Sequence, residues 1–180
     1  MTGDHDYWVF GYGSLIWDPG FEPAEVRLAT LRGFHRSFCM RSVNHRGSHA
    51  EPGLVLALDR AEGASCTGLA LRAAPDEAMA VRQMIREREL ITSAYLERTV
   101  TLETEGGSLD ALAYIIDREH GQYCAGLPLD VQAGIIATAR GGRGPNDAYL
   151  HNTVAALRQR GIEDPEMDRL SEMVRALARG

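Results

Sequence analysis

The first half of the chain carries short runs of apolar, β-branched and aromatic residues, each bounded by glycine, proline or charged residues. Such runs are typical of β-strands. They predict five strands, over Tyr7–Tyr12, Val26–Leu31, Ser37–Arg41, Leu54–Leu58 and Thr67–Arg72. A polar segment between the third and fourth strands predicts a loop over Asn44–His49 that ends at Pro52-Gly53.

The spacing of apolar residues changes from a strand period to a helical period after residue 74. Pro75-Asp76-Glu77 suits the first turn of a helix, because proline and acidic residues favour that position. Apolar residues then follow at helical spacing at Ala78, Val81 and Ile85. Two more strands are predicted over Arg98–Glu103 and Ala111–Ile116, with Glu105–Ser108 as a hairpin loop.

The last third of the chain predicts helices over Leu129–Arg140 and Asn146–Arg160, and another that begins at Asp164-Pro165. No repeat, low-complexity tract or long linker marks a boundary in the sequence. We therefore expect one α+β domain over residues 1–180, a small mixed or barrel-like sheet with helices outside it. The C-terminal helices, about residues 145–180, should pack on that sheet.

Composition narrows the classes of partner. The chain has 25 acidic and 19 basic side chains and a formal net charge of -6, which argues against non-specific nucleic-acid binding. No run reaches the roughly 20 apolar residues that span a bilayer, so no membrane partner is expected. The first six residues do not resemble a signal peptide, and three scattered cysteines suit reduced thiols. These features favour a cytoplasmic location for the protein. The sequence carries no signal for its oligomeric state.

The segment Val9–Trp17 reads as a buried strand that breaks into a Gly-Tyr-Gly-Ser turn. Glycine lets a ligand approach the main chain closely, and consecutive backbone N–H groups in such a turn can hold an anion or a developing oxyanion. The same pattern is also typical of a tight turn after a core strand. On its own, the motif does not separate these two interpretations.

Glu89 is a candidate acid–base residue, because helical periodicity places it near the direction of Ala78, Val81 and Ile85. A carboxylate on an apolar face loses hydration, and a late position in the helix opposes negative charge; both effects raise its pKa. The alternative is a partly exposed glutamate paired with Arg82 or Arg88.

Three other motifs do not carry chemistry in the sequence. His45 and His49 lie in a predicted loop without further ligands at metal-binding spacing, so no metal site is expected. Gly141–Asn146 lacks the ending of a phosphate loop and predicts a connection between helices, with an anion contact possible at the following helix. Ser14 lacks the glycine two residues later that a hydrolase elbow requires.

Taken together, several segments resemble the ChaC-like γ-glutamylcyclotransferase family, in family order over about residues 7–160. The matching segments are Phe10–Trp17, His35–Arg41, Arg46–Ser48, Pro52–Leu58, Arg88–Tyr95 and, more weakly, Asn146–Leu150. The Tyr-Gly-Ser-Leu turn also occurs in the wider cyclotransferase superfamily. The Arg-Glu-Leu-Ile-Thr-x-x-Tyr segment is therefore the part that narrows the resemblance to the ChaC-like family. Ser93-Ala94 departs from relatives that often carry a glycine there.

The resemblance implies a mixed β-barrel with flanking α-helices, no cofactor, and cleavage of glutathione to 5-oxoproline and cysteinylglycine, a lyase activity. It assigns Glu89 as the catalytic glutamate and Tyr95 as a tyrosine near the glutamyl group. It also implies that Tyr12, Gly13, Ser14 and Leu15 form the substrate-binding turn. Tyr149 and Arg41 are further candidates, as a hydroxyl that positions the glutamyl group and as a carboxylate partner.

The chemistry of a γ-glutamyl amide suggests a mechanism. Its own α-amine can close a five-membered ring on the γ-carbonyl, and one carboxyl group can take a proton from that amine and give one to the leaving amine. The turn would hold the α-carboxylate or the oxyanion. Two alternatives stay open: a cyclotransferase for other γ-glutamyl amino acids or amines, and a non-catalytic γ-glutamyl-binding or regulatory protein.

Overall fold

The computed structural model describes residues 6–91 and 93–180; residues 1–5, to which the signal-peptide expectation refers, and Thr92 of the family segment lie outside the described residues. Five strands form a closed barrel in the order β1-β3-β2-β4-β5, and β1 closes on β5 through a parallel pairing of Val9 with Leu112. The strands are β1 Trp8–Gly11, β2 Glu25–Ser42, β3 Gly53–Arg72, β4 Tyr95–Thr104 and β5 Gly107–Ile116. The predicted α+β barrel class is confirmed.

The two longest strands differ from the prediction. The two runs predicted within β2 belong to one strand of 18 residues, and the two within β3 to one of 20 residues. The polar and glycine-containing segments between the runs therefore remain in strand. Gly33 and Gly63 lie in these segments with φ of 83° and 79°, a conformation that glycine adopts without strain and that lets a strand continue through a local bend.

The predicted hairpin of β4 and β5 is confirmed, with both strands longer than expected. Its register runs from Tyr95 opposite Ile116 to Thr104 opposite Gly107. The turn is therefore confined to Glu105-Gly106, and Gly107 begins β5 with φ of 110°.

The helices are α1 Ser14–Trp17, α2 Ala78–Glu89, α3 Leu129–Thr138, α4 Asn146–Gln159 and α5 Pro165–Ala178. Four of the helices follow the predicted segments with small differences at their ends, whereas α1 is a single helical turn where the sequence predicted only a glycine–serine turn. Asp164 caps α5 as expected, because its carboxylate accepts the Met167 N–H at 3.2 Å.

The prediction for the connection between α3 and α4 was also wrong. Helix α3 ends at Thr138, and the chain then forms a small hairpin of β6 Arg140–Gly141 and β7 Gly144–Pro145 rather than a plain interhelical loop. Gly144 takes a φ of 114° in this hairpin, a conformation that glycine adopts readily and that suits a tight turn.

The chain divides into two compact units. The first comprises residues 6–36 and 58–120, and its core includes Phe10, Leu58, Leu69, Ile85, Leu102 and Tyr114. The second comprises residues 37–57 and 121–180, and its core includes Leu54, Leu56, Ile136, Leu150, Leu157 and Leu170. A single domain over 1–180 stays a prediction. Within the described part of the chain, no helix has the length and apolar character needed to cross a membrane.

Candidate active site

The predicted anion-binding turn joins β1 to α1 in the first unit. Tyr12 is buried, and its hydroxyl donates a hydrogen bond to the Tyr114 carbonyl at 2.9 Å. The Arg36 guanidinium, also buried, donates from Nη1 to the Tyr12 carbonyl at 2.7 Å and from Nη2 to the Thr67 carbonyl at 2.8 Å. Both the side chain and the carbonyl of Tyr12 are therefore hydrogen-bonded, which fixes the backbone just before Gly13.

Helix α1 is a single turn that begins immediately after Gly13. The Ile16 N–H bonds the Gly13 carbonyl at 3.0 Å, and the Asp18 N–H bonds the Ser14 carbonyl at 2.7 Å. The N–H groups of Ser14 and Leu15 come before the first of these bonds, where a helical turn leaves donors for other acceptors. The geometry is consistent with a backbone cradle, whose ligand stays a prediction.

Glu89 is the last residue of α2, and the helix buries Ala78, Val81 and Ile85 on the side predicted to carry it. Its side chain is 15% exposed, and its Oε1 lies 3.5 Å from Arg88 Nε. The two interpretations of Glu89 both apply, because the carboxylate is largely buried and is also paired with a neighbouring arginine. Glu87, two residues earlier, is exposed and accepts a hydrogen bond from Gln83 at 2.8 Å.

Arg88 connects Glu89 to the turn. Its Nη2 donates to Ser14 Oγ at 2.9 Å, and its Nη1 donates to the Asp18 carbonyl at 2.6 Å. One guanidinium thus contacts both ends of α1 and the Glu89 carboxylate. The structure therefore brings the predicted turn and the predicted acid–base residue to the same place in the first unit.

A polar cluster forms between α2, strands β4 and β5, and Tyr7 just before β1. Glu97 accepts a hydrogen bond from the Tyr114 hydroxyl at 2.9 Å, and it pairs with Arg82 at 3.3 Å and Arg86 at 3.4 Å. Burial raises the pKa of the nearby Tyr7 hydroxyl to about 12, and the negative charges of Glu97 and Glu89 add to the effect. Burial also raises the pKa of Tyr114. Both phenols are therefore neutral at physiological pH.

The segment from Glu89 to Tyr95 contains Ser93-Ala94, where the family resemblance leads us to expect a glycine. Ser93 has a φ of 58°, the left-handed region that glycine enters at little cost and other residues at roughly 1–2 kcal/mol. A glycine in relatives would suit this position. Tyr95 begins β4 opposite Ile116, and the Ala94 carbonyl accepts the Asp117 N–H at 2.8 Å.

Two predicted site residues belong to the second unit, where they are described by their own contacts. The Tyr149 hydroxyl accepts the Leu56 N–H at 3.2 Å, and the Arg46 guanidinium lies over its ring at 5.6 Å. Arg41 is partly exposed, and its positive charge opposes the burial that raises the pKa of the Cys124 thiol. The roles of Tyr149 and Arg41 toward substrate stay predictions.

The sequence pattern indicates Arg88 as an alternative partner of Glu89 and as part of the matching segment Arg88–Tyr95, and it indicates no separate role for Arg36. Each of these arginines donates a hydrogen bond to a residue far away in the sequence. Arg88 is 74 residues from Ser14, and Arg36 is 24 residues from Tyr12. A pattern of apolar positions does not report such contacts. Among residues 6–91 and 93–180, no group of three or more His, Cys, Asp or Glu side chains is placed to hold a metal ion.

Comparison with known proteins places these features in a family. The family model described as ChaC-like protein matches residues 7–177, nearly the whole chain. The chain belongs to the ChaC-like family. The matched region includes the turn at Tyr12–Leu15, Glu89, Tyr95 and both candidates of the second unit.

Individual ChaC-like relatives agree with this assignment. The chain is 36% identical over 171 residues to the glutathione-specific gamma-glutamylcyclotransferase of Escherichia coli, covering 94% of this chain and 73% of the relative. It is 32% identical to the enzyme of the same name from Schizosaccharomyces pombe, covering 93% and 90%. A crystal structure of the yeast γ-glutamyl cyclotransferase specific to glutathione superposes with a TM-score of 0.86 at 25% identity, covering 95% and 96%.

Proposed function

We propose that the chain is a γ-glutamylcyclotransferase, a lyase that cleaves glutathione to 5-oxoproline and cysteinylglycine. Membership of the ChaC-like family and the names of its relatives support this activity. The observation that carries the proposal is the guanidinium of Arg88, which contacts Ser14 and Glu89 together. It joins a backbone cradle to a buried carboxylate, the two parts that cyclisation requires.

The reaction exchanges one carbon–nitrogen bond for another. The α-amine of the glutamyl group attacks its own γ-carbonyl carbon, which forms the five-membered ring, and the bond to the cysteine nitrogen breaks. Because the attack is intramolecular, folding the substrate into a bent conformation supplies much of the rate. One proton leaves the attacking amine and one joins the departing amine, and Glu89 carries out this transfer as general base and then general acid.

The turn after β1 provides the proposed binding site for the substrate. The N–H groups at Gly13, Ser14 and Leu15 hold the substrate α-carboxylate or the developing oxyanion, and the Arg36 contact fixes the backbone before them. Preorganised donors of this kind lose little free energy to reorganisation when charge develops. Tyr95 offers a further hydroxyl for the glutamyl group. Tyr149 and Arg41 belong to the second unit and stay candidate substrate-binding residues, as a hydroxyl and as a guanidinium for a carboxylate.

The activity needs no cofactor in this proposal, because ring closure neither oxidises nor reduces the substrate. The partner is a small molecule, glutathione or a related γ-glutamyl peptide. We also place the enzyme in the reducing cytoplasm, where glutathione is abundant, and the occurrence of Cys39, Cys66 and Cys124 as thiols agrees with that compartment.

The experiment incubates the purified chain with glutathione and, separately, with γ-glutamyl-alanine, and follows 5-oxoproline by mass spectrometry. We expect 5-oxoproline and cysteinylglycine in equal amounts from glutathione and little product from γ-glutamyl-alanine. Comparable turnover of both substrates would replace glutathione specificity with a broader cyclotransferase. No product from either would contradict an enzyme and favour a γ-glutamyl-binding protein.

A further inference from the structure

The side chain of Arg88 is unusual among the arginines of α2. It is only 13% exposed, whereas Arg82 and Arg86 are 42% and 47% exposed and both pair with Glu97. A largely buried guanidinium needs partners on all sides to offset lost hydration. Arg88 finds them in the Asp18 carbonyl, Ser14 Oγ and Glu89 Oε1.

The three contacts use three different nitrogen atoms of the fork. Nη1 and Nη2 contact residues at the two ends of α1, while Nε faces the Glu89 carboxylate. A guanidinium is planar and rigid, so it fixes the angle between these partners as well as their distances. A lysine ammonium carries the same charge, but as a compact point charge it does not reproduce this fork.

We propose that Arg88 is a positioning residue for the cyclisation: it holds the α1 turn at a fixed place relative to the Glu89 carboxylate and favours the ionised form of that carboxylate. This inference rests on the proposed function and deepens it, because it names the group that couples anchor and base. The Glu89 carboxylate must be ionised at the first step, because it then accepts the proton of the attacking amine.

The electrostatic environment at the C-terminal end of α2 explains how Arg88 favours the ionised form of the Glu89 carboxylate. Glu89 closes the helix, where the backbone carbonyls oppose a negative charge, and burial opposes it as well. A positive charge 3.5 Å away offsets both effects. Replacing Arg88 by a neutral residue should therefore move protonation of Glu89 to higher pH.

Other ionisable groups near Glu89 are common to the parent protein and the Arg88 variants. The Tyr7 hydroxyl, just before β1, lies within the field of Glu89, and beyond it are Glu97 on β4 and Tyr114 on β5. Arg82, on α2 itself, adds a positive charge to the same cluster. A difference between an Arg88 variant and the parent protein thus reports Arg88.

The test compares Arg88→Gln and Arg88→Lys with Arg86→Gln, a matched control that removes an arginine two residues away on the same helix. Carbon-13 NMR of glutamate-labelled protein without substrate gives the protonation midpoint of Glu89, assigned by the signal lost in Glu89→Gln. We expect the midpoint to rise by about half a pH unit or more in Arg88→Gln and to stay near that of the parent in Arg88→Lys and Arg86→Gln.

The kinetic arm measures kcat and the pH dependence of kcat/KM for 5-oxoproline release. Both Arg88 variants should lose about tenfold or more in kcat, because neither keeps the fork, whereas Arg86→Gln keeps the parent kcat. The acidic limb of the profile should move to higher pH in Arg88→Gln alone. Circular dichroism and thermal melting check that each variant is folded.

Each outcome is decisive. If Arg88→Lys keeps the parent kcat, the positioning role is wrong; if Arg88→Gln leaves the Glu89 midpoint unchanged, the electrostatic role is wrong. Should Arg88→Gln not fold, the kcat of Arg88→Lys still decides the positioning role, and its failure overturns the proposal. If the parent protein releases no 5-oxoproline, the proposed function fails, while the NMR titration still tests the coupling of Arg88 to Glu89.

Discussion

Three local effects act on the single carboxylate of Glu89. Its side chain is 15% exposed and lies at the carboxyl end of α2, and both conditions favour the protonated form. The Arg88 guanidinium at 3.5 Å favours the ionised form. A carboxyl group between such opposed effects is suited to accept a proton and return it within one reaction cycle.

At the same scale, Asn146 has a structural role that its family match did not reveal. Its side chain is fully buried, donates from Nδ2 to the Leu54 carbonyl at 2.8 Å and accepts the Leu54 N–H at 2.8 Å. It therefore pairs with β3 as a neighbouring strand would. The match at Asn146–Leu150 reflects, at least at this residue, the need to satisfy a buried backbone.

Replacing Asn146 by alanine should lower the free energy of unfolding by about 2–4 kcal/mol, because both polar groups of Leu54 lose their partner in a buried place. Urea denaturation measures the change. Asp147→Asn, at the next and partly exposed position of α4, is the control, with an expected change of about 0.5 kcal/mol. Equal stability of the two variants would show that the Asn146 contacts contribute nothing.

At the scale of elements, helix ends were predicted better than strand ends. The α5 start follows from Asp164 and Pro165, whose capping preferences are local properties of the chain. Strand length depends on pairing with distant residues. Gly33 and Gly63 therefore suggested breaks, although pairing carries β2 and β3 through them.

The contact between α4 and α5 should make the stability of the protein depend on pH. His151 Nδ1 lies 2.9 Å from Ser171 Oγ, and burial, with the positive charge of Arg175, lowers the pKa of His151 below its usual 6.5. The unfolded chain thus takes up this proton at a higher pH than the folded chain. The free energy of unfolding should fall as the pH drops from 7 through 6.5 and further toward the folded-state pKa.

The variant His151→Gln removes the titrating group and should flatten this part of the pH dependence. The measurement is urea denaturation at several pH values between 5 and 7.5. His49→Gln, at an exposed loop position, is the matched control and should keep the slope of the parent protein. A slope that survives in His151→Gln would assign the pH dependence to another group.

At the scale of the whole molecule, the sequence predicts those parts of the site that depend on residues close to one another along the chain. Helical periodicity placed Glu89 on the buried side of α2, and the glycine–serine pattern located the turn after β1. The link between them is a contact across 74 residues, from Arg88 to Ser14, and the sequence contains no periodic signal for it. Resemblance supplied the reaction, which neither pattern names by itself.

The most direct test of the account concerns the proton transfer assigned to Glu89. Glu89→Gln keeps the shape of the side chain but removes its acid–base chemistry, and Glu87→Gln makes the same change at the exposed face of the same helix. With glutathione as substrate and 5-oxoproline measured by mass spectrometry, Glu89→Gln should lose about a hundredfold or more in kcat while Glu87→Gln keeps the parent rate. Turnover by folded Glu89→Gln at the parent rate would contradict the central claim.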